Sequence, residues 1–467
     1  MIYYDLSKGE SMKSKVMNMT TGNPVRLLLV FSVPMLIGNV FQQLYNLVDS
    51  MIVGRFVGEG ALAAIGATNS VGFLFFAICN GLGSGGGILT AKEFGAGNDE
   101  AVKKSIVNSG YILIFGSLVM GGIAALVSKS VLEFMNTPSL IMNDALLYMY
   151  LQCIGLPLVA IYNHSSSMLR ALGDSRTPLY FLIFAALLNV VLDLWFVCGF
   201  EWGIFGAAFA TGIAQVVAGI GCLVYAIKFN PYFKMKRHHF RPEGKILWEC
   251  VRLGVPLSVQ FSMIAVSCMA LQRIVNGYGP AVMAAFTATS RVEQLLHQPY
   301  QTLSAALSTY SGQNLGAKEH ERIHLGFRKS MVMMGIFSLV MLPVMQFGGE
   351  AIIRLFVDDP TVIYYGAKAM QITSWFYITL GTIYMTRGVL NGIGDATGAL
   401  VNGIVEVIGR IVVPVALTMI PFIGVWGIWW STGIVWLISA LFCYLRYVFW
   451  GKKLKEPQLN DAGEVTI

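Results

Sequence analysis

About twelve apolar stretches of 18 to 28 residues, separated by short polar segments, run through the 467-residue chain and leave few folds open to it. Each is long enough to cross a hydrocarbon core about 30 Å thick as a helix. Strands of a membrane β-barrel are excluded, because they would be about ten residues long and alternating. Composition agrees: the chain is 55% hydrophobic and 12% charged, with mean hydropathy +0.65, where a soluble domain carries about 25% charge. The sequence predicts an all-α integral membrane protein.

Spans are expected at roughly 26 to 52, 60 to 84, 105 to 128, 145 to 168, 178 to 200, 203 to 227, 247 to 275, 281 to 311, 328 to 347, 363 to 387, 398 to 420 and 424 to 448. Taking alternate segments, the N-terminal arm, the even-numbered loops and the C-terminal tail hold 24 of the 32 Lys and Arg. The opposite set holds only Arg55, Lys129, Arg354 and Lys368. By the positive-inside rule both termini are expected to be cytoplasmic, which requires an even number of spans. The polar stretch up to Arg26 has no apolar core with a small-residue cleavage site, so the first span is expected to be retained. The most basic connection, Lys228 to Lys245, stands at the middle of the chain. It reads first as a topology determinant and second as a contact for anionic lipid.

Slid against itself, the sequence matches at an offset of 221 or 222. Pro34 lands on Pro256, Gly95-Ala96 on Gly316-Ala317, and Gly173-Asp174 on Gly394-Asp395, while Gly203, Gly206, Thr211 and Gly212 land on Gly424, Gly427, Thr432 and Gly433. Matches spread over five segment pairs argue for a tandem duplication. With six spans per copy, both copies enter from the same side. The pseudo-twofold axis then runs along the membrane normal, with a substrate path between two six-helix lobes, which is transporter architecture. The expected organisation is an N-terminal arm at 1–25, an N-lobe at 26–227, a basic linker at 228–246, a C-lobe at 247–448 and a tail at 449–467.

Carboxylates near the bilayer centre cost about 2.5 to 3.5 kcal/mol each on insertion scales, so each needs a reason. On the first span Gln42, Tyr45, Asn46 and Asp49 form one polar stripe at helical spacing. On the fifth, Asn189 and Asp193 stand one turn apart, and Thr211 on the sixth is placed to join them. At the repeat offset Asp49 falls on Ala270 or Leu271, Asn189 on Arg410 and Asp193 on Pro414, so the second half lacks these acids. A cation site confined to the first lobe follows. Two carboxylates with an amide and a hydroxyl suit Na⁺ or a shared proton alike.

The other intramembrane charges read as structural. Glu406 and Arg410, spaced i, i+4, are expected to neutralise each other. Arg273, Arg291, Glu293 and Arg387 fall near span ends, where snorkelling or helix-end pairing is expected. Pro34 removes a backbone hydrogen bond inside the first span and marks a kink or hinge there. The seven cysteines lie singly, without CxxC or His at metal-ligand spacing, and are expected to be reduced packing residues. There is no Gly-rich nucleotide loop, no nucleophile with a base at motif spacing and no metal motif, so no enzyme is expected and transport must run on a gradient.

The segment VPMLIGNVFQQLYNLVDSMIVGRFVGEGALAAIGAT, the LRALGDS and NVVLD motifs and WGIFGAAFATGIAQ together resemble the multidrug and toxic compound extrusion family, its bacterial DinF-like branch above all, over about residues 20 to 448. The resemblance implies a twelve-helix antiporter that exports organic, often cationic, compounds against H⁺ or Na⁺ by rocking between outward-open and inward-open forms. Position by position, Asp49, Asn189, Asp193 and Thr211 match cation-coupling residues. Gln42 and Tyr45 match cavity-facing residues, with Asn46 counted beside them on the stripe; Tyr148 matches a fourth-helix tyrosine, and Pro34 a helix-bending proline. The NorM-like branch has a glutamate on the seventh helix and an aspartate on the tenth. This chain has Gln260 and, approximately, Leu380 there, in keeping with a one-sided site.

The expected function is a secondary multidrug efflux antiporter of the cytoplasmic membrane. Its expected partners are small organic substrates and membrane lipids, with no nucleic acid, no cofactor beyond the coupling H⁺ or Na⁺, and a monomeric state. A flippase for lipid-linked precursors is the alternative. It would need unpaired Arg or Lys to hold pyrophosphate, and the first half has no such cluster in mid-span.

Overall fold

The computed structural model describes residues 16–134, 137–455, 458–459 and 465–466. The start of the expected N-terminal arm and part of the expected C-terminal tail lie outside the described residues. The first lobe comprises α1 (Pro24–Phe56), α2 (Glu59–Gly95), α3 (Asp99–Phe134), α4 (Ser139–Ala171), α5 (Arg176–Asp193) and α6 (Gly203–Phe229). The second comprises α7 (Gly244–Asn276), α8 (Pro280–Gly316), α9 (His320–Arg354), α10 (Pro360–Ser374), α11 (Tyr377–Gly392), α12 (Ala396–Thr418) and α13 (Gly427–Lys455). A two-residue ladder pairs Gln458 with Thr466 and Leu459 with Val465 in the tail, an addition to the all-α expectation that leaves both lobes untouched.

The duplication is visible in helix lengths. α1 and α7 each have 33 residues, and α2 and α8 each have 37. At about 1.5 Å per residue, a 33-residue helix is about 50 Å long and overruns a core of about 30 Å. The polar ends read as loops therefore continue as helix into water. Two expected spans are not uniform helices. The tenth is split into α10 and α11 at Trp375 and Phe376, where the Phe376 ring lies against Gly433 of α13. The fifth changes after Asp193 from α5 to a wider π-helical turn, Leu194–Gly199. Among the described residues nine helices are long and apolar enough on their own to cross a membrane. Of the other elements, α8 carries buried Gln298, Thr302, Gln313 and Asn314, polar groups turned inward rather than toward lipid.

The first lobe packs its own core, while that of the second also takes in Leu28 and Phe31 of α1. Val53, Ala64, Leu132 and Ala145 are fully buried in the first, and Tyr300, Leu307, Tyr310 and Val389 in the second. The lobes meet where small residues let backbones approach. Gly81 and Gly85 on α2 lie against Ser258 and Gly254 on α7, and the Ser258 hydroxyl donates to the Ile78 carbonyl at 2.8 Å. Near the termini the seam is hydrogen-bonded through Gln313 of α8. Its Nε2 donates to the Ala171 carbonyl at 2.9 Å, and its Oε1 accepts from the Met19 N–H at 2.9 Å. Arg322 donates to the Gly22 carbonyl at 3.1 Å. Described residues ahead of α1, in the expected N-terminal arm, thus form part of this seam, and Met19 is fully buried. The cross-lobe contacts extend to mid-helix, where Asn39 of α1 donates to Gln298 of α8 at 3.0 Å.

The basic linker is fastened to the first lobe. Tyr111 donates to the Phe240 carbonyl at 2.8 Å, Asn108 accepts from the Glu243 N–H at 2.9 Å, and Lys104 pairs with Glu243 at 2.6 Å. His238 and His239 reach one oxygen of Glu100, in the first turn of α3, at 3.1 and 2.9 Å. His239 Nδ1 accepts the Lys236 N–H at 2.7 Å, which places the proton of the neutral ring on Nε2, aimed at Glu100. The three side chains have metal-ligand spacing, but that tautomer leaves His239 no lone pair there for an ion.

Candidate functional site

Three helices of the first lobe converge on the predicted acids. α5 presents Asn189 and Asp193 on one face, a turn apart, and both are buried. The Asn189 amide, oriented so that both its ends are satisfied, donates to Asp193 Oδ2 at 2.8 Å. Its oxygen accepts from the hydroxyl and backbone N–H of Thr211 on α6, at 3.2 and 3.1 Å. Asp49 comes from α1, and its carboxyl interacts directly with that of Asp193. The Oδ1 atoms of Asp49 and Asp193 are both buried without a hydrogen-bond partner. Among the described residues no Lys or Arg forms an ion pair with either. Two facing carboxyls with free oxygens and no protein counter-charge have room for a proton or small cation.

Tyr45, one turn before Asp49, interacts with Thr211 and Asp49. Tyr148 on α4 is buried, interacts with Gln152 and lies in the field of both acids. Gln42 is half-buried on the same stripe, while Asn46 is exposed. α1 runs as one helix through Pro34, and Gly38, four residues on, brings it against Leu179 and Leu182 of α5. The π-helical turn begins immediately after Asp193, and Trp195, Phe196, Phe200, Trp202 and Phe209 stack beyond it. A sequence read as one continuous span gave no sign of this turn.

The second lobe departs from expectation. Glu406 on α12 is not neutralised by Arg410 in an ion pair. It is bound by Arg387 of α11, and Asn402 Nδ2 also donates to it at 3.2 Å. Arg387 is buried, not snorkelling, because α11 continues to Gly392 and leaves it inside the bundle. Arg410 turns instead to the Cys268 sulfur at 3.3 Å. All seven cysteines are free as expected, but Cys268 is exposed and serves as this acceptor. Sequence spacing favoured the i, i+4 neighbour, and only the fold could reveal a partner nineteen residues earlier.

The comparison that decides the family is with the MatE model, which matches twice, at residues 34–195 and 256–416. The chain belongs to the MatE family. One match falls in each half of the chain, in keeping with the repeat. The transporter is 30% identical over 444 residues to the probable multidrug resistance protein YpnP of Bacillus subtilis, covering 93% of this chain and 98% of that protein. It is 24% identical to the multidrug export protein MepA of Staphylococcus saprophyticus, over 93% of this chain and 95% of that one. Its fold matches a solved outward-facing multidrug resistance transporter of the same family with a TM-score of 0.87, at 22% identity, over 96% of this chain and 100% of that one. It is thus a twelve-span, two-lobe membrane transporter of the MatE family, in which α10 and α11 together make one span.

Proposed function

We propose that this transporter exchanges inward protons for outward small organic compounds across the cytoplasmic membrane, with both termini on the cytoplasmic side. The orientation rests on the Lys and Arg bias of the loops. The seam of α2, α7 and α8 then closes the cytoplasmic half, and the form described is outward-facing.

The direct approach of Asp49 to Asp193, each with a free oxygen, carries the choice of ion. Carboxyls that touch share a proton, whereas a metal ion would stand between them and draw in further oxygen ligands. The oxygen of Asn189 is already engaged by Thr211. A proton arriving from outside settles between the acids, and Tyr45 and Tyr148 feel the change in charge. Substrate held against the α1 stripe at Gln42, Tyr45 and Asn46 loses its counter-charge and leaves outward. Pro34 lets α1 bend as this happens. Coupling requires that proton and substrate prefer opposite states, since a ligand without differential affinity shifts nothing.

The test is efflux of ethidium from proteoliposomes under separately imposed gradients. A pH gradient alone is expected to drive it. Transport driven by Na⁺ alone and indifferent to pH would overturn the proton.

A further inference from the structure

Buried polar atoms without partners cost about 1–3 kcal/mol each, and they gather in the interior of the second lobe. Gln260 on α7 is fully buried with neither end of its amide hydrogen-bonded, and it packs on Gly403 of α12, one turn before Glu406. His297 Nε2 on α8, Thr373 Oγ1 on α10 and Arg387 Nε on α11 are also buried without partners. Glu293, four residues before His297 on α8, faces Thr373 and lies in the field of Arg410 and Tyr377. Among the described residues it makes no ion pair. The His297 ring is held edge-on by Tyr384 at 6.0 Å and Trp436 at 5.8 Å, and it lies in the field of Arg410 and Glu406.

We propose that Glu293 and His297 form a second proton-binding site, in the second lobe and separate from the Asp49 and Asp193 pair. Residues i and i+4 share a helix face, so proton exchange between the two stays on one side of α8. Arg387 is committed to Glu406, which leaves Arg410 as the counter-charge of ionised Glu293. That guanidinium repels a metal cation but accommodates a proton, which removes the negative charge instead of adding a positive one. When Glu293 takes up the proton, its attraction to Arg410 falls away, so α8 and α12 are held less tightly and the lobe loosens where α8 meets the substrate path. The site deepens the exporter reading and rests on it for its role, but its occupancy is testable without transport.

The test is infrared spectroscopy of the full-length protein in lipid during pH titration, on an Asp49→Asn/Asp193→Asn background. The difference spectrum between this background and the same background carrying Glu293→Gln is expected to show a protonated carboxyl band that titrates with pH and is absent from the variant. Absence of the band, or its survival in Glu293→Gln, overturns the proposal. Should Glu293→Gln not fold, His297→Gln on the same background is expected to move the midpoint of the band, and an unmoved midpoint overturns it. In wild-type proteoliposomes the proton count per ethidium is expected to exceed that of Glu293→Gln by one. If the wild type moves no ethidium at all, the exporter reading fails while the infrared result stands on its own.

Discussion

Gly95 on α2 and Gly316 on α8 close on each other's helices. A Cβ on Gly95 would stand 1.8 Å from the Gln313 carbonyl oxygen, and one on Gly316 would stand 1.9 Å from the Lys92 carbonyl oxygen. Equivalent positions of the two repeats thus press backbone to backbone in the form described. Any side chain there must part the lobes at the end that carries the termini.

Gly95→Ala is therefore expected to destabilise the closed seam by about 1–3 kcal/mol, the usual range for overpacking. That corresponds to a shift of about 5- to 150-fold in the balance of the two forms. Spin labels at Lys103 and Arg328 would report it as a growing population with the α3 and α9 starts farther apart. An unchanged distance distribution would show that the contact does not hold the seam.

Asn189→Ala is expected to leave Asp193 Oδ2 and Thr211 without the amide that joins them, lowering unfolding free energy by about 1–3 kcal/mol. Thermal unfolding in lipid nanodiscs checks this. A melting curve equal to wild type would mean that water replaces the amide at no cost.

Arg387→Met strands Glu406 as a buried charge, and loss of one partner of such a pair costs about 3–5 kcal/mol. Adding Glu406→Gln removes the stranded charge and is expected to restore most of the stability. The same melting assay decides, and a double variant as unstable as the single would exclude a pairwise cause.

At the linker, His238 above all and His239 next hold Glu100 below the ordinary glutamate value of 4.5. A depressed folded-state value means that the contact is at full strength above 4.5 and is lost as pH falls through the lower, folded value. Hydrogen exchange at residues 236–240, corrected for intrinsic rate, is expected to quicken only below pH 4.5, and Glu100→Gln to show the quickened rate already at pH 7. Exchange that is flat with pH in the wild type would place the restraint elsewhere.

Much of the architecture was legible before any coordinates. Apolar stretches report spans directly, because the bilayer offers the backbone no other partner, and the 221-residue offset reports two lobes because Pro34 with Pro256 and Gly95 with Gly316 hold matching structural positions. The convergence of Asp49, Asn189, Asp193 and Thr211 was legible from helical spacing and from the cost of intramembrane charge. What escaped notice depended on neighbours distant in sequence. Arg387 reaches Glu406 across α11 and α12 although Arg410 was the nearer candidate by spacing, and Phe376 breaks its helix beside a glycine of α13. Glu293 was read as lying near a span end, whereas the fold sets it against Thr373 of α10 inside the second lobe.

The central claim is that Asp49 and Asp193 act together as the proton-operated element of an exporter. It is tested most directly by ethidium transport in proteoliposomes under an imposed pH gradient, comparing wild type with Asp49→Asn and Asp193→Asn at equal reconstitution. Each variant is expected to insert and fold yet fall to the rate of protein-free liposomes. Gradient-driven transport by both variants at the wild-type rate would contradict the account.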